Sequence, residues 1–292
     1  ETTEVADVVE EVRRLTGGGG ADRSFDCAGA GDTLDELIRM TAKNGKVGVI
    51  AYPKVPTTQE ALYYMVKNQI TVQGVRANPN CSLPLLGMIG HGKVNARRLV
   101  THTFPIEQTE QAFDTFINHK DGAVKVVIHP NGEEAQEGPK PVPQGREVLV
   151  RIRYVGICGS DIHLFNGTYN GPHSYPMRFG HEWSGVVEAV GSEVTRVEVG
   201  DVVTGDCSRY CGACPSCEVD KNLCQHIEKF GITVDGASAD YILRDEMYLY
   251  RAPEGLDIKH LCLSDPVAVA ALLVEKVRKA VPSGFADKRV LV

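Results

Sequence analysis

Hydrophobic positions recur along this chain with two different periods, and the change of period divides it. In VADVVEEVRRL, Val5, Val8, Val9, Val12 and Leu15 fall on one helical face. GGGG at residues 17–20 precedes a strand pattern and reads as a flexible helix stop. RSFDCAG is a short buried strand, residues 32–43 a helix, and GKVGVIAY a second strand. TTQEALYYMVKN is helical with Thr57 or Thr58 as its cap, and QITVQGV is a third strand. Such alternation predicts a parallel sheet with helices on both faces.

Beyond VVIHP the texture changes. NGEEAQEGPKPVPQG, residues 131–145, is polar, rich in Pro and Gly and aperiodic, and reads as a linker. REVLVRIRYVG, SGVVEAVG, GDVVTGD and ADYILRDEMYLYRAP are strands separated by turns, so residues 146–252 predict an all-β unit. DPVAVAALLVEKVRKAV is an apolar helix, and KRVLV is again a strand of the parallel type. The order is therefore α/β, then β, then α/β resuming, with no internal repeat.

A chain of 292 residues accommodates two domains, and 42% apolar with 24% charged residues is the balance of a soluble globular protein. The net charge of −7 with scattered basic residues argues against a nucleic-acid or anionic-membrane partner. PVAVAALLV, the longest nearly apolar stretch, is too short to span a bilayer. No signal-peptide pattern is visible and a cytoplasmic setting is expected, although Glu1 is not an initiator and a removed leader stays open.

Nine cysteines add chemistry to this frame. Four of them, Cys211, Cys214, Cys217 and Cys224, lie in CGACPSCEVDKNLC, a spacing that suggests metal rather than disulfides. Two-residue gaps let successive thiolates converge from one tight loop, and four thiolates with no vacancy make a structural zinc site. Cys207 is a fifth thiol nearby, while Cys27, Cys81 and Cys262 read as small buried hydrophobes. Cys158, His181 and Glu182, in GICGSDIH and GHEWSG, are mixed S, N and O donors, the chemistry of an open catalytic zinc. Adjacent His and Glu on a strand face opposite ways, so both can bind one ion only if the backbone turns there. Trp183 reads as a core residue in preference to an aromatic wall for substrate.

GICGSDIHLFNG, GHEWSGVVEAVG, VEVGDVV, CGACPSCEVDKNLC and SDPVAVA together resemble the zinc-dependent medium-chain alcohol dehydrogenases, especially the sorbitol and threonine dehydrogenase branch. DCAGAGDTL, GKVGVIAYP and FPIEQTEQAFDTFINHKDGAVKVVIHP resemble that family's cofactor domain and its return segment. The resemblance implies an α/β plus β fold: a GroES-like zinc-binding catalytic β domain with a doubly wound, Rossmann-type parallel-sheet domain. It distributes them as Rossmann-type strands at 1–102, a return segment at 103–131, a linker at 132–145, the GroES-like domain at 146–262 and the start of the Rossmann-type domain at 263–292.

It further implies Cys158 and His181 as catalytic zinc ligands and Glu182 as a ligand or exchanging neighbour. Asp265 stands where relatives place another acidic ligand, usually Glu, and is one methylene shorter. Ser160 matches the hydroxyl that passes the substrate proton, and His163 the outer relay histidine. Cys27, Gly29, Ile50 and Ala51 match positions beside the nicotinamide of NAD or NADP, and Lys125 a basic position near the cofactor phosphates. The implied reaction is hydride transfer between a nicotinamide cofactor and a small secondary alcohol, a polyol or cyclitol, in a homo-oligomer, dimer or tetramer.

Two departures accompany the resemblance. The family places seven residues between the third and fourth structural cysteines and this chain six, so either the loop tightens or Cys207 enters. The halves also stand in the opposite order to the family's, an incomplete and circularly rearranged Rossmann-type domain. KRVLV matches that domain's first strand, whose glycine-rich phosphate loop, with roughly 30 following residues, is not found here. Neither GGGG nor GAGD fits that loop. A circular permutant, a rearranged sequence and a tandem junction are all open. The competing expectation is a non-catalytic zinc-stabilised fold unable to bind dinucleotide, and a zinc-free quinone-reductase-type relative is opposed by Cys158, His181 and the four-cysteine run.

Overall fold

A computed structural model describes residues 5–75, 82–130, 140–279 and 290–291. In chain order it begins with α1 (Val8–Leu15), β1 (Ala21–Asp26), α2 (Thr33–Met40), β2 (Thr41–Val49), α3 (Gln59–Lys67) and β3 (Thr71–Gly74). There follow α4 (Ser82–Gly90), β4 (Val100–Pro105), α5 (Thr109–Ile117), β5 (Lys125–His129), β6 (Glu147–Gly156), α6 (Gly159–Phe165) and β7 (Glu182–Val190). The remainder is β8 (Val202–Gly205), β9 (Ser208–Arg209), α7 (Pro215–Val219), β10 (Glu228–Lys229), β11 (Tyr241–Asp245), β12 (Leu249–Arg251), α8 (Ile258–Leu261), α9 (Ser264–Lys279) and β13 (Val290–Leu291). Two compact units result, Glu1–Arg76 with Val269–Val292, and Ala77–Ala268.

The first unit is a four-stranded parallel sheet in the order β13-β1-β2-β3. Successive strand residues face opposite sides. Val47 packs with Val9, Leu37, Ile38, Met40 and Ala61 from α1, α2 and α3. A Cβ on Gly48, its neighbour, would stand 2.6 Å from Leu273 and 3.0 Å from Val277 of α9. Helices thus cover both faces. Asp7 caps α1 by accepting from Glu10 N–H at 2.9 Å. The helix stops where Gly18 N–H reaches Arg13 C=O and Gly17 N–H reaches Arg14 C=O, both glycines having positive φ. Thr58 caps α3 through Ala61 N–H at 3.2 Å.

Three expectations change here. Leu15 is 68% exposed, because the last turn of α1 ends beside the glycines and leaves the core stripe. Residues 41–43 belong to β2 rather than to the preceding helix, because Thr41 pairs with Ala21 and its hydroxyl contacts Ser24 Oγ at 2.8 Å. Cys27 is exposed rather than buried, since β1 ends at Asp26 and the chain turns outward.

The second unit is built on seven strands in the order β12-β8-β7-β6-β5-β4, with β11 also on β6. Only β4 and β5 pair in parallel; the other pairs in this sheet are antiparallel. Its core gathers Val148, Val150, Ile152, Val155, Trp183, Val187, Val203, Ile242 and Leu249. Trp183 is 1% exposed and belongs to this core, so it forms no wall toward solvent. The boundary expected at residue 102 falls instead at 76, because β4 pairs with β5, which in turn pairs with β6. The strands of residues 146–252 are interrupted by the short helices α6 and α7. Of the expected linker, residues 131–139 lie outside the described residues, as does Cys81, and residues 140–144 form neither helix nor strand. No helix among the described residues is long and apolar enough to cross a membrane.

Candidate functional site

The four-cysteine run folds on itself around α7. The four sulfurs all lie within 4.8 Å of one another. Cys214–Cys217 is 3.5 Å, Cys211–Cys224 3.6 Å and Cys211–Cys217 3.9 Å. A tetrahedral zinc with metal–sulfur bonds of about 2.3 Å requires sulfur–sulfur edges of about 3.8 Å. The donor set and its spacing therefore fit that ion. Backbone N–H groups point at sulfur, Cys211 N and His226 N at Cys224 Sγ at 3.3 and 3.4 Å. The Gln225 N–H foremost holds the Cys214 thiol down to about 6, which favours the thiolate a metal needs. Burial foremost pushes Cys217 up to about 12, so one thiol keeps its proton until a metal displaces it. The six-residue gap closes because α7 and a 3-10 turn at Lys221–Leu223 shorten the loop. Cys207 stays out of this group; its Sγ lies 3.6 Å from Ser208 Oγ and its thiol bonds to Asp265.

The second group is assembled by three elements. β6 ends at Gly156, and Cys158 then caps α6, with Cys158 N–H donating to Asp161 Oδ2 at 2.8 Å. His181 precedes β7 by one residue, and Glu182 opens that strand opposite Gly156. The backbone turn demanded by adjacent His and Glu ligands is present at Gly180, whose φ is +93°. A Cβ there would also strike Val155 Cγ1 at 2.7 Å. The result brings the donor atoms of Cys158, His181 and Glu182 within 4.8 Å of one another. One sulfur, one imidazole and one carboxylate with a coordination position to spare suit an open zinc site.

Charges around this group are dense and buried. Burial opposes the His181 imidazolium, but Asp161 and then Cys158 outweigh it and hold that group well above its usual range. His181 Nδ1 and Asp161 Oδ1 are buried, without hydrogen-bond partners and 3.7 Å apart. A metal on the other ring nitrogen would leave Nδ1–H to this carboxylate, the usual support of a ligating histidine. Asp161 was not among the residues expected from sequence; its position three after Cys158, at the third residue of α6, was the available signal. Burial raises the Glu182 carboxyl, opposed by Lys125, whose Nζ lies 2.7 Å from Glu182 Oε2.

Asp265 does not join the donors. It lacks the methylene of Glu, and its carboxyl bonds to the Cys207 thiol. Ser160 does join the cluster, its Oγ 3.5 Å from His181 Nε2. His163 turns away, with Nδ1 3.0 Å from Thr168 Oγ1. Lys125, expected near cofactor phosphates, has its ammonium on Glu182 and on Ile157 C=O at 3.1 Å, drawn there by the buried carboxylate.

The remaining candidates lie in the first unit, at the carboxyl ends of neighbouring parallel strands. Cys27 and Gly29 follow β1, and Ile50 and Ala51 follow β2. Asp26 ties the two ends together. Its C=O accepts from Ile50 N–H at 3.1 Å, and its Oδ1 accepts from Gly29 N–H at 2.8 Å. Gly29 has φ +59°, and a Cβ there would stand 2.6 Å from Tyr52 C=O. In open parallel sheets, ligands bind beyond these strand ends.

A parallel-sheet unit and a strand-rich unit with an S, N, O donor trio and a four-sulfur loop define an architecture with two candidate metal sites. The family model described as "Zinc-binding dehydrogenase" matches residues 1–83, and the one described as "Alcohol dehydrogenase GroES-like domain" matches residues 144–254. These two segments are thus similar to the Rossmann-type and GroES-like parts of the zinc-dependent medium-chain alcohol dehydrogenases. Sorbitol dehydrogenase of Halalkalibacterium halodurans is 38% identical over 135 residues, 46% of this chain and 39% of that protein. D-arabitol-phosphate dehydrogenase of Enterococcus avium is 41% identical over 131 residues, 44% of this chain and 37% of that protein. The structure of galactitol-1-phosphate dehydrogenase from Escherichia coli is 32% identical, with 44% of this chain and 37% of that one covered at a TM-score of 0.40. The matches to these curated relatives span less than half the length of either.

Proposed function

We propose that the chain acts as a zinc-dependent, NAD(P)-linked dehydrogenase on the secondary alcohol of a small polyol, cyclitol or similar compound. The observation that carries this is the convergence of Cys158 Sγ, a His181 ring nitrogen and a Glu182 oxygen on one point. These three would hold a zinc ion. Bound there, zinc supplies Lewis acidity that lowers the pKa of an alcohol hydroxyl. Asp161 fixes the His181 ring, and Ser160 Oγ, beside that ring, receives the substrate proton and passes it outward. His163, three residues after Ser160 in α6, is the outer group of this relay and takes the proton once its ring leaves Thr168 Oγ1. Cys27, Gly29, Ile50 and Ala51 receive the nicotinamide end of the cofactor, and the four-sulfur loop holds a second, structural zinc. The polyol assignment follows the relatives named as sorbitol and D-arabitol-phosphate dehydrogenases.

Metal analysis and a dehydrogenase assay test this together. The expected result is two zinc ions per chain and reduction of NAD(P) by at least one member of a panel of polyols and polyol phosphates. One zinc ion, no cofactor fluorescence change and no turnover would leave a metal-stabilised, non-catalytic fold in its place.

A further inference from the structure

The ion pair between Lys125 and Glu182 sits inside the candidate metal centre, and its geometry restricts what Glu182 can offer a metal. Lys125 Nζ lies 2.7 Å from Oε2, and the two side chains are 14% and 1% exposed. The ammonium is anchored a second time on Ile157 C=O at 3.1 Å, from the residue next to Cys158. The ring of Phe116 covers it at 5.9 Å. On the other side, Gly156 faces the same oxygen: a Cβ there would stand 2.5 Å from Oε2. Oε2 is therefore held by a fixed cation in a slot that only glycine leaves open, and Oε1 is the oxygen left for a metal.

We infer that Lys125 is a positioning residue that makes Glu182 a one-oxygen, weakly held metal ligand. The inference rests on the reading of Cys158, His181 and Glu182 as ligands. Two physical effects act in the same direction. The ammonium withdraws charge from the carboxylate, and it repels a dication held a few ångströms away in a poorly solvated site. A lysine that served only to brace the fold would have the opposite signature, since its loss would loosen the metal.

The test is a chelator-competition titration with cobalt(II) on protein whose four-sulfur loop retains zinc, with the visible spectrum recorded. Lys125→Met is expected to tighten cobalt binding by about tenfold or more, the scale on which residues behind metal ligands act. Its d–d absorption is expected to weaken as Glu182 closes on the metal with both oxygens. Lys125→Arg restores the wild-type affinity and spectrum. Lys125→Gln, which keeps a donor for Ile157 C=O, serves if the Met variant does not fold and is expected to tighten binding similarly. In a Glu182→Gln background the spectral change on Lys125→Met disappears, since it acts through the carboxylate, and only the tightening due to direct repulsion of the dication remains. Unchanged or weaker cobalt binding in both neutral variants overturns the inference. Wild-type protein that binds no cobalt at this site overturns the reading of the metal centre itself, and the two failures are distinct.

Discussion

Replacing Cys158 by serine is expected to remove one of two zinc ions and to lower polyol-dependent NAD(P) reduction by at least about a thousandfold. The hydroxyl of serine stays protonated at neutral pH and is a poor donor to zinc, whereas a thiolate is a strong one. The remaining imidazole and carboxylate would then face a dication with one anionic ligand, and that one is shared with Lys125. The fold should survive. Cys158 contributes backbone geometry to the start of α6 through its N–H and Asp161, and serine supports the same cap. Zinc content, turnover and thermal midpoint measured on one preparation separate these effects. Wild-type turnover in a Cys158→Ser chain with a single zinc would refute the catalytic assignment.

Cys217→Ser carries the second large effect, and it is one of stability. The loop from Cys211 to Cys224 has little regular structure, only α7 and one 3-10 turn. Its interior is sulfur, packed with Tyr210, Phe230 and Tyr248. Without a metal, the four thiols, all within 4.8 Å of one another, have only weak S–H contacts and a few backbone N–H donors to hold them. Folding and metal binding are then one event. The variant is expected to unfold about 10 °C below the parent. Limited proteolysis should cut first between residues 211 and 224. A midpoint within about 2 °C of the parent, with two zinc ions retained, would show that the loop closes without this ligand.

Much of this was legible from local pattern. The period of VADVVEEVRRL, the cap at Thr58 and the short gaps between Cys211, Cys214 and Cys217 are written within a few residues of one another. Local pattern failed where a distant partner decides. Residues 41–43 have a helical neighbour but join a strand because Ala21 pairs with Thr41. The turn that lets His181 and Glu182 converge follows from Gly180, a single residue whose positive φ no hydrophobic period reveals. Lys125 lies 57 residues from Glu182 in sequence, and nothing local to either announces the pair. Asp265 shows a subtler limit: one methylene shorter than Glu, it stands outside the three-donor group and beside the Cys207 thiol, a partner that no local pattern announces.

The parallel pairing of Arg23 with Val290 has a consequence of timing. Residues 77–268 form their own unit, whereas the four-stranded sheet needs a contribution from both sides of it. Bringing such remote segments together costs little in final stability, since closure entropy grows only logarithmically with the length of the intervening chain. It costs more in speed, because distant contacts form late. On the ribosome, the strand-rich unit and its sulfur loop can mature while β1 still waits for β13, so that side of β1 stays open to mispairing with another chain until residue 291 has emerged.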